Sequence, residues 1–376
     1  GIWTYTGGSE LDRALYRFEV TVYHPKAEGL QVLLVTDPYS VSLSTNSRFS
    51  QFVNLNDDDL KPDGWETQTI PTIANFEDAV IYEGSIRDFS VRDASTTAAN
   101  RGKYLAFTEM DSAPVMHLKK LAEKGLTHFH MLPANDIATI EEDVSKTVDM
   151  SSTLAALCKL NKSAPICKDA SVSQTMTLGD LFASYDPISQ AGKAQELAEA
   201  MRGVDQFNWG YDPYHFNVPE GSYSSNPEGV TRIKEMRAMN MALHQVGLRV
   251  ALDVVYNHTN ASELNGKSVF DKVVPGYYHR YEVDSGAIVR ETCCDDTEPR
   301  NVMMEKFMED SLIQWATQYK FDSFRFDIMS QATKSTMVRL FDAVKAIDAD
   351  TYFYGEGWIK ADRGYEQATQ ANMAGT

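Results

Sequence analysis

A short apolar segment that ends in charged or polar residues recurs three times in the second half of the chain, at residues 249–258, 319–329 and 351–358. In the middle segment, Arg325 and Asp327 lie two residues apart, so a strand would point both side chains to one face. Burying such a pair is costly unless the charges serve each other or a ligand. If only one such segment were present, a structural ion pair would account for its charged residues. Because three are present, we favour the hypothesis that the ends of three strands meet at a functional site.

Strand-like and helix-like segments alternate from residue 79 onward. Strands are predicted at 79–86, 126–132, 249–254, 321–326 and 351–354. Helices with apolar residues on one face are predicted at 115–123, 229–246, 304–315 and 337–347. Apolar, non-alternating strands followed by helices indicate an α/β fold with a parallel sheet. A doubly wound sheet and a (β/α)8 TIM barrel both fit, and the barrel is favoured because polar residues follow successive strands and no glycine-rich phosphate loop is present.

The pattern divides the chain into two unequal domains. Residues 1–75 alternate apolar and polar residues between turn signals, which predicts part of a β-sandwich. Residues 76–376 are predicted to form the N-terminal part of the barrel, and 135–208 are read as an insertion because they far exceed a plain βα loop. An open arc of five strands exposes an edge, so we expect the remaining strands on further residues of the same protein.

Composition narrows the classes of partner. The chain has 35 basic and 53 acidic side chains, a net charge of −18, and no basic block, which argues against nucleic acid and anionic membranes as partners. No apolar run reaches 18 residues, so a soluble protein is predicted. Cys158, Cys167, Cys293 and Cys294 show no zinc-cluster spacing, and adjacent cysteines do not easily form an unstrained disulfide. Unpaired thiols in a reducing compartment are therefore expected.

Three carboxylates lie at or just after predicted strand ends: Asp253, Asp327 and Glu356. With neighbouring strands about 4.8 Å apart, the carboxyls of Asp327 and Glu356 would be separated by roughly 5–6 Å. A retaining glycosidase needs about 5–5.5 Å and an inverting one about 6.5–9.5 Å. The spacing therefore predicts a nucleophile and an acid/base, the alternative being strand-end carboxylates that only form salt bridges.

The position of Arg325 distinguishes the two roles. Its cation, beside Asp327, is expected to lower the pKa of that carboxyl and keep it ionised as the nucleophile. The anion would in turn raise the pKa of Glu356, which then holds the proton of a general acid. Asp327 and Glu356 are accordingly the predicted catalytic residues.

Several motifs resemble those of a known family. The chain resembles the α-amylase family, glycoside hydrolase family 13, at three of that family's signature regions. These are residues 253–258 (DVVYNH), 324–327 (FRFD) and 355–358 (GEGW). The chain also resembles the debranching branch of that family, the plant and algal limit dextrinases or pullulanase-type enzymes. This closer resemblance lies at residues 207–213, 218–223 and 274–280. The resemblance implies retaining hydrolysis of α-1,6-glucosidic linkages in pullulan and limit dextrins, and a carbohydrate-binding module of family 48 as the counterpart of residues 1–75.

The resemblance also implies roles for individual residues. The substrate-binding set is Tyr211, Asp212, Trp209, His258, Arg325 and Trp358. Tyr211 would stack under a sugar, His258 would bond a sugar hydroxyl, and Trp358 would stack on the acceptor side. Asp253 and Asn257 would give structural support.

The resemblance extends to ligands and location. The implied partners are α-glucans, including amylopectin-derived oligosaccharides, and the remaining part of the same protein. No cofactor is required, and a structural calcium ion, bound by many family members, has no assignable site because no DxDxDG loop is present. Plastid stroma is the implied compartment.

Two other readings remain open at this stage. An isoamylase-like debranching enzyme or a branching transferase would share the nucleophile and the acid. A non-catalytic glucan-binding or scaffolding fragment is the alternative outside enzymes, because the family's fourth signature, an Asn-His-Asp triplet with the transition-state carboxylate, has no counterpart among these residues.

Overall fold

The computed structural model describes residues 4–374. Their strands are β1 Leu15–Tyr16, β2 Phe18–His24, β3 Gly29–Val35, β4 Ser50–Gln51, β5 Ile81–Gly84, β6 His128–Met131, β7 Asn135–Ile137, β8 Pro213–Pro219, β9 Arg249–Val254, β10 His258–Thr259, β11 Asp295–Asp296, β12 Ser323–Phe326 and β13 Tyr352–Gly355. Their α-helices are α1 Ala113–Ala122, α2 Leu154–Leu160, α3 Leu178–Ser184, α4 Ala191–Met201, α5 Thr231–Val246, α6 Phe270–Val273, α7 Val302–Tyr319, α8 Lys334–Lys345 and α9 Gln370–Met373.

Five strands form one parallel sheet in the order β13-β12-β9-β6-β5. Chain order and sheet order coincide, so consecutive strands are neighbours and their C-terminal ends lie at one edge. Every residue of β6 and β9 is buried, as expected for a parallel sheet covered on both faces. The predicted α/β organisation with a parallel sheet is confirmed.

The helices that connect these strands end where the sequence carries clear stop signals. Helix α5 ends at Gly247, whose φ of 94° lies in the left-handed region that glycine adopts without a Cβ clash. Helix α8 begins after Thr333, whose hydroxyl accepts a hydrogen bond from the Thr336 amide. Helix α7 packs its buried Trp315 against Phe321, just before β12. These caps and contacts fix where each chain segment enters the sheet.

The N-terminal residues contribute small antiparallel pairs. Strand β2 pairs with β3, and β1 pairs with β4. Within the described part of residues 1–75, these are two-stranded sheets, and the predicted sandwich stays a prediction. By contacts, residues up to 138 and from 209 onward form one compact unit.

Residues 139–208 form a second compact unit. Helices α2, α3 and α4 bury an apolar core of its own that includes Leu157, Leu181 and Leu197. A disulfide joins Cys158 to Cys167, with Cα atoms 5.5 Å apart. That separation lies inside the usual range for such bonds.

The prediction of unpaired thiols is wrong for all four cysteines. Besides the Cys158–Cys167 bond, the adjacent Cys293 and Cys294 are also joined, and the described residues leave no free cysteine. Sequence spacing failed because the first pairing depends on the fold of residues 139–208, which brings the two Cα atoms together. Among residues 4–374, no helix combines the length and apolar character needed to cross a bilayer.

Candidate active site

Arg325 occupies the centre of a cluster at the C-terminal edge of the sheet. In the parallel register, it lies opposite Asp253 of β9 and Tyr354 of β13. Its Nη1 lies 3.0 Å from both carboxylate oxygens of Asp253 and 3.3 Å from Asp327 Oδ1. Its Nη2 donates to Glu356 Oε2 at 3.2 Å. One guanidinium therefore binds all three carboxylates that the sequence singled out.

Asp253 is the most enclosed of the three carboxylates, with a fully buried side chain. Besides Arg325, it accepts a hydrogen bond from the Tyr211 hydroxyl at 2.8 Å. His130 Nε2 lies 3.3 Å from the same oxygen. The carboxylate of Asp253 is therefore surrounded by hydrogen-bond and ion-pair partners from the protein. Structural support stays the predicted role of this residue. His130 is a contact that sequence reasoning missed.

Asn257, in the loop that follows strand β9, holds Asp327 in place through hydrogen bonds. The amide Nδ2 donates to Asp327 Oδ2 at 2.7 Å and to the Asp327 backbone oxygen at 2.8 Å. Burial raises the pKa of Asp327 to about 6, with Asp253 and Glu356 adding to the rise while Asn257 and Arg325 oppose it. Only 12% of the side chain is exposed.

The pKa of Glu356 shifts in the opposite direction, below its ordinary value. Burial acts to raise its pKa, but Trp358, the Ile328 amide, Arg325 and a hydrogen bond with Asp327 outweigh burial and lower it. The predicted pKa order, with Asp327 low and Glu356 high, is therefore wrong for the site without a ligand. The physical reason is that Arg325 serves all three carboxylates and does not favour Asp327, which is the more buried of the pair.

The backbone directly after Asp327 adopts an unusual conformation. Ile328 has φ 39° and ψ 58°, in the left-handed region that β-branched residues rarely enter. The turn brings its amide to 3.4 Å from Glu356 Oε2, and the next amide, of Met329, donates to the Glu356 backbone oxygen at 3.0 Å. Strain of this kind persists where the surroundings impose it, often at functional sites. Nothing in the apolar sequence around Ile328 signals it.

His258 is brought to the cluster but points into protein. It is 2% exposed, and its Nδ1 lies 2.6 Å from Asn257 Oδ1. Its Nε2 lies 2.9 Å from the Tyr211 backbone oxygen and 3.3 Å from Cys293 Sγ. Burial lowers its pKa, so the neutral ring is favoured. Both ring nitrogens face protein atoms here, and the bond from His258 to a sugar hydroxyl stays a prediction.

Two tryptophans near the site are exposed. Trp209 has 62% and Trp358 has 54% of its surface open to solvent, whereas buried tryptophans such as Trp315 serve the core. Gly210 beside Trp209 has φ 93°, and a Cβ there would lie 2.4 Å from the Pro133 oxygen, so only glycine fits. The Asp212 backbone oxygen accepts from the Ala138 amide and fixes the same loop. Exposed rings on an anchored loop suit stacking against sugar faces.

Within the described residues 4–138 and 209–374, one cluster of potential metal ligands is formed by His258, Cys293 and Cys294. The calcium ion that the resemblance implies stays a prediction.

The fold and site define an α/β protein with carboxylates gathered at the C-terminal edge of a parallel sheet. A scan of protein-family models gave no match. The pullulanase of Klebsiella pneumoniae is 44% identical over the whole chain, which covers 35% of that protein. The chloroplastic pullulanase 1 of Arabidopsis thaliana is 38% identical, again over the whole chain and 37% of the relative.

Comparison with solved structures gives the same similarity to pullulanases. The crystal structure of Klebsiella pneumoniae pullulanase complexed with maltotriose superposes with a TM-score of 0.94 at 41% identity, over 99% of this chain and 36% of that one. Over its whole length the chain is similar to these pullulanases, and it spans about a third of their length.

Proposed function

We propose that this chain carries the catalytic carboxylates of a starch-debranching hydrolase that cleaves α-1,6-glucosidic linkages with retention. The observation that supports this most is that the guanidinium of Arg325 binds both Asp327 and Glu356 at the ends of neighbouring strands. Two carboxyls bound by one guanidinium lie close together, as a retaining enzyme requires, whereas an inverting enzyme separates them by about 6.5–9.5 Å to admit a water. The pair therefore favours a nucleophile and an acid/base on the same bond.

The proposed reaction has two displacements. Asp327 attacks the anomeric carbon while Glu356 gives its proton to the leaving glycosidic oxygen, which forms a glycosyl-enzyme ester. Glu356 then takes a proton from a water whose oxygen bonds the anomeric carbon, and the bond between that carbon and Asp327 breaks, which releases the sugar and restores both side chains. Because the free site raises the pKa of Asp327 and lowers that of Glu356, the bound glucan must reverse this order so that Glu356 holds the proton it donates. Arg325, in contact with both groups, stabilises the anion that remains.

An α-glucan is the proposed ligand. The Klebsiella structure is a complex of pullulanase with maltotriose, and the similar proteins are pullulanases. In this chain, Trp209 and Trp358 provide exposed faces near the carboxylates, and Tyr211, tied to Asp253, would form the floor. Pullulan and limit dextrins are the specific substrates we propose.

The architecture around the site completes the proposal. We infer that the five parallel strands are the first five of a (β/α)8 barrel, with the remaining strands on another part of the protein. Residues 1–75 would belong to a module of the family 48 type, and 135–208 would be a long insertion in the barrel sequence. The compact unit at 139–208 supports the last boundary.

Plastid location is proposed from the Arabidopsis relative alone, which is chloroplastic. The cysteines no longer favour a reducing compartment, since both pairs are joined.

Substitution of the two carboxylates in the intact protein tests the function. Asp327→Ala and Glu356→Gln should each lower pullulan hydrolysis by roughly 1,000-fold or more while glucan binding is largely kept, because both groups act in the transition state. Glu366→Gln is the matched control, since its side chain is 71% exposed. Full activity in both catalytic variants would end the assignment.

A further inference from the structure

His258, Cys293 and Cys294 form a cluster that the proposed hydrolysis does not use as such. One potential ligand atom from each lies within 4.8 Å of the others, and all three residues belong to one compact unit. Cys293 is exposed and Cys294 is partly exposed, whereas His258 is buried behind them. The two cysteines therefore lie on the solvent side of the cluster.

The spacing suits a tetrahedral cation once the sulfurs are thiolates. Zinc binds thiolate sulfur at about 2.3 Å and imidazole nitrogen at about 2.0–2.1 Å, so two such ligands lie about 3.6 Å apart. The observed distance from His258 Nε2 to Cys293 Sγ is 3.3 Å. Two thiolates and one imidazole are soft ligands that select zinc-like metals over calcium or magnesium.

The contacts of His258 present the correct nitrogen. Asn257 Nδ2 donates to the two oxygens of Asp327, so Asn257 Oδ1 faces His258 Nδ1 as an acceptor. A neutral ring can therefore carry its proton on Nδ1, which leaves the lone pair of Nε2 for a cation beside the sulfurs. Metal-binding histidines commonly have their second nitrogen fixed in this way by a hydrogen-bond acceptor. In the disulfide form, Nε2 also lies 2.9 Å from the Tyr211 backbone oxygen, an acceptor for an Nε2 proton, so cation binding must place the ring proton on Nδ1.

We propose that reduction of the Cys293–Cys294 disulfide creates a binding site for one thiophilic divalent cation, with His258 Nε2 and the two sulfurs as ligands. A dithiol reductant supplies two electrons and two protons, the sulfur–sulfur bond breaks, and the reductant becomes a disulfide. Cation binding then forms two metal–sulfur bonds and releases the two thiol protons. The fourth position is left to water or another small ligand. Oxidation removes the site, because the sulfurs are then bonded to each other.

Metal titration of the intact protein tests this directly. The protein is reduced with dithiothreitol, freed of reductant without oxygen, and titrated with Co²⁺, whose bonds to thiolates give a characteristic charge-transfer absorption. The reduced protein should bind one Co²⁺ at this site, Zn²⁺ should displace it, and the oxidised protein should show no such absorption. These readouts do not involve glucan hydrolysis, so they stand or fall separately from the proposed function.

Variants assign the ligands. Cys293→Ser and Cys294→Ser should each weaken Co²⁺ binding at least tenfold, and His258→Gln should do the same while it keeps the thiolate absorption. Cys158→Ser/Cys167→Ser, which removes the other disulfide, is the matched control and should bind Co²⁺ as the parent does. Equal binding by oxidised protein, undiminished binding in Cys293→Ser, or loss of binding in the control would overturn the proposal.

Discussion

Asn257 binds Asp327 twice, through the side chain at 2.7 Å and through the backbone oxygen at 2.8 Å, both from the same amide nitrogen. The loop after β9 thereby fixes the carboxylate at the end of β12. The amide also opposes the rise in the pKa of Asp327 that burial causes. Asn257 therefore sets both the position and the protonation of the proposed nucleophile.

Removal of this amide should change the pH dependence of the reaction. The pKa of Asp327 is raised to about 6, and only its ionised form attacks, so kcat/KM should fall as the pH drops through that value. In Asn257→Ala, the pKa rises further and the acidic limb should move to higher pH. Pullulan hydrolysis measured from pH 4 to 9 checks this. Asn226→Ala, at an exposed position, is the control, and an unmoved acidic limb in Asn257→Ala would contradict the account.

Replacement of the shared guanidinium should impair catalysis more than charge alone explains. Arg325→Lys keeps the cation but cannot bind Asp253, Asp327 and Glu356 together, since lysine lacks the planar fork. Because misplacement by about 1 Å costs roughly 100-fold, kcat should fall by about that factor. Arg339→Lys, whose arginine pairs with Glu305 and Glu309 and is 49% exposed, should leave kcat unchanged. Equal kcat in both variants would refute the positioning role.

Loss of an exposed ring should weaken glucan binding without unfolding the protein. Trp209→Ala and Trp358→Ala should each raise KM about tenfold, or about 1.4 kcal/mol, because a stacking face is lost. Their melting temperatures should stay near that of the parent, since both rings are more than half exposed. Tyr23→Ala, with a ring 60% exposed on the β2–β3 hairpin, controls for the loss of surface aromatics. If Tyr23→Ala raised KM as much as the two tryptophan variants do, stacking at Trp209 and Trp358 would not be the cause.

A second carboxylate pair, far from the reaction, should make stability depend on pH. Burial, with Asp350 nearby, raises the pKa of Asp348 from 3.8 to about 7, although Arg249 opposes the rise. The folded protein therefore binds a proton that the unfolded chain has released, so stability should decrease as pH rises from about 4 to 7. The lowered pKa of Asp350 acts only below 3.8 and lies outside this window.

Asp348→Asn removes that titration. Urea unfolding at pH 5 and pH 8 should show a smaller loss of stability between the two values in this variant than in the parent. Asp342→Asn, at an exposed position on α8, should keep the parental difference. An unchanged difference in Asp348→Asn would exclude Asp348 as its source.

The sequence predicted the elements well because the sheet depends on local apolar pattern. The strand predicted at 249–254 is β9, Arg249–Val254, and the predicted strand at 321–326 contains β12. The three carboxylates were also predicted to converge, and Arg325 joins them. Parallel register and short apolar runs suffice for these inferences.

Other properties depend on tertiary surroundings and escaped prediction. The pKa order of Asp327 and Glu356 follows from burial and from how one guanidinium is shared, which spacing along the chain does not encode. The left-handed Ile328 opposes the conformational preference of its residue type. The disulfide between Cys158 and Cys167 likewise depends on how α2 and its following loop fold together.

The stereochemistry of the first product tests the central claim most directly. If the carboxyls of Asp327 and Glu356 act on one glycosidic bond without a water between them, the intact protein should release the α-anomer from an α-1,6-linked glucan. Proton NMR during the first turnovers, before mutarotation, distinguishes the anomers. Initial release of the α-anomer is the predicted result, and initial release of the β-anomer would contradict the account.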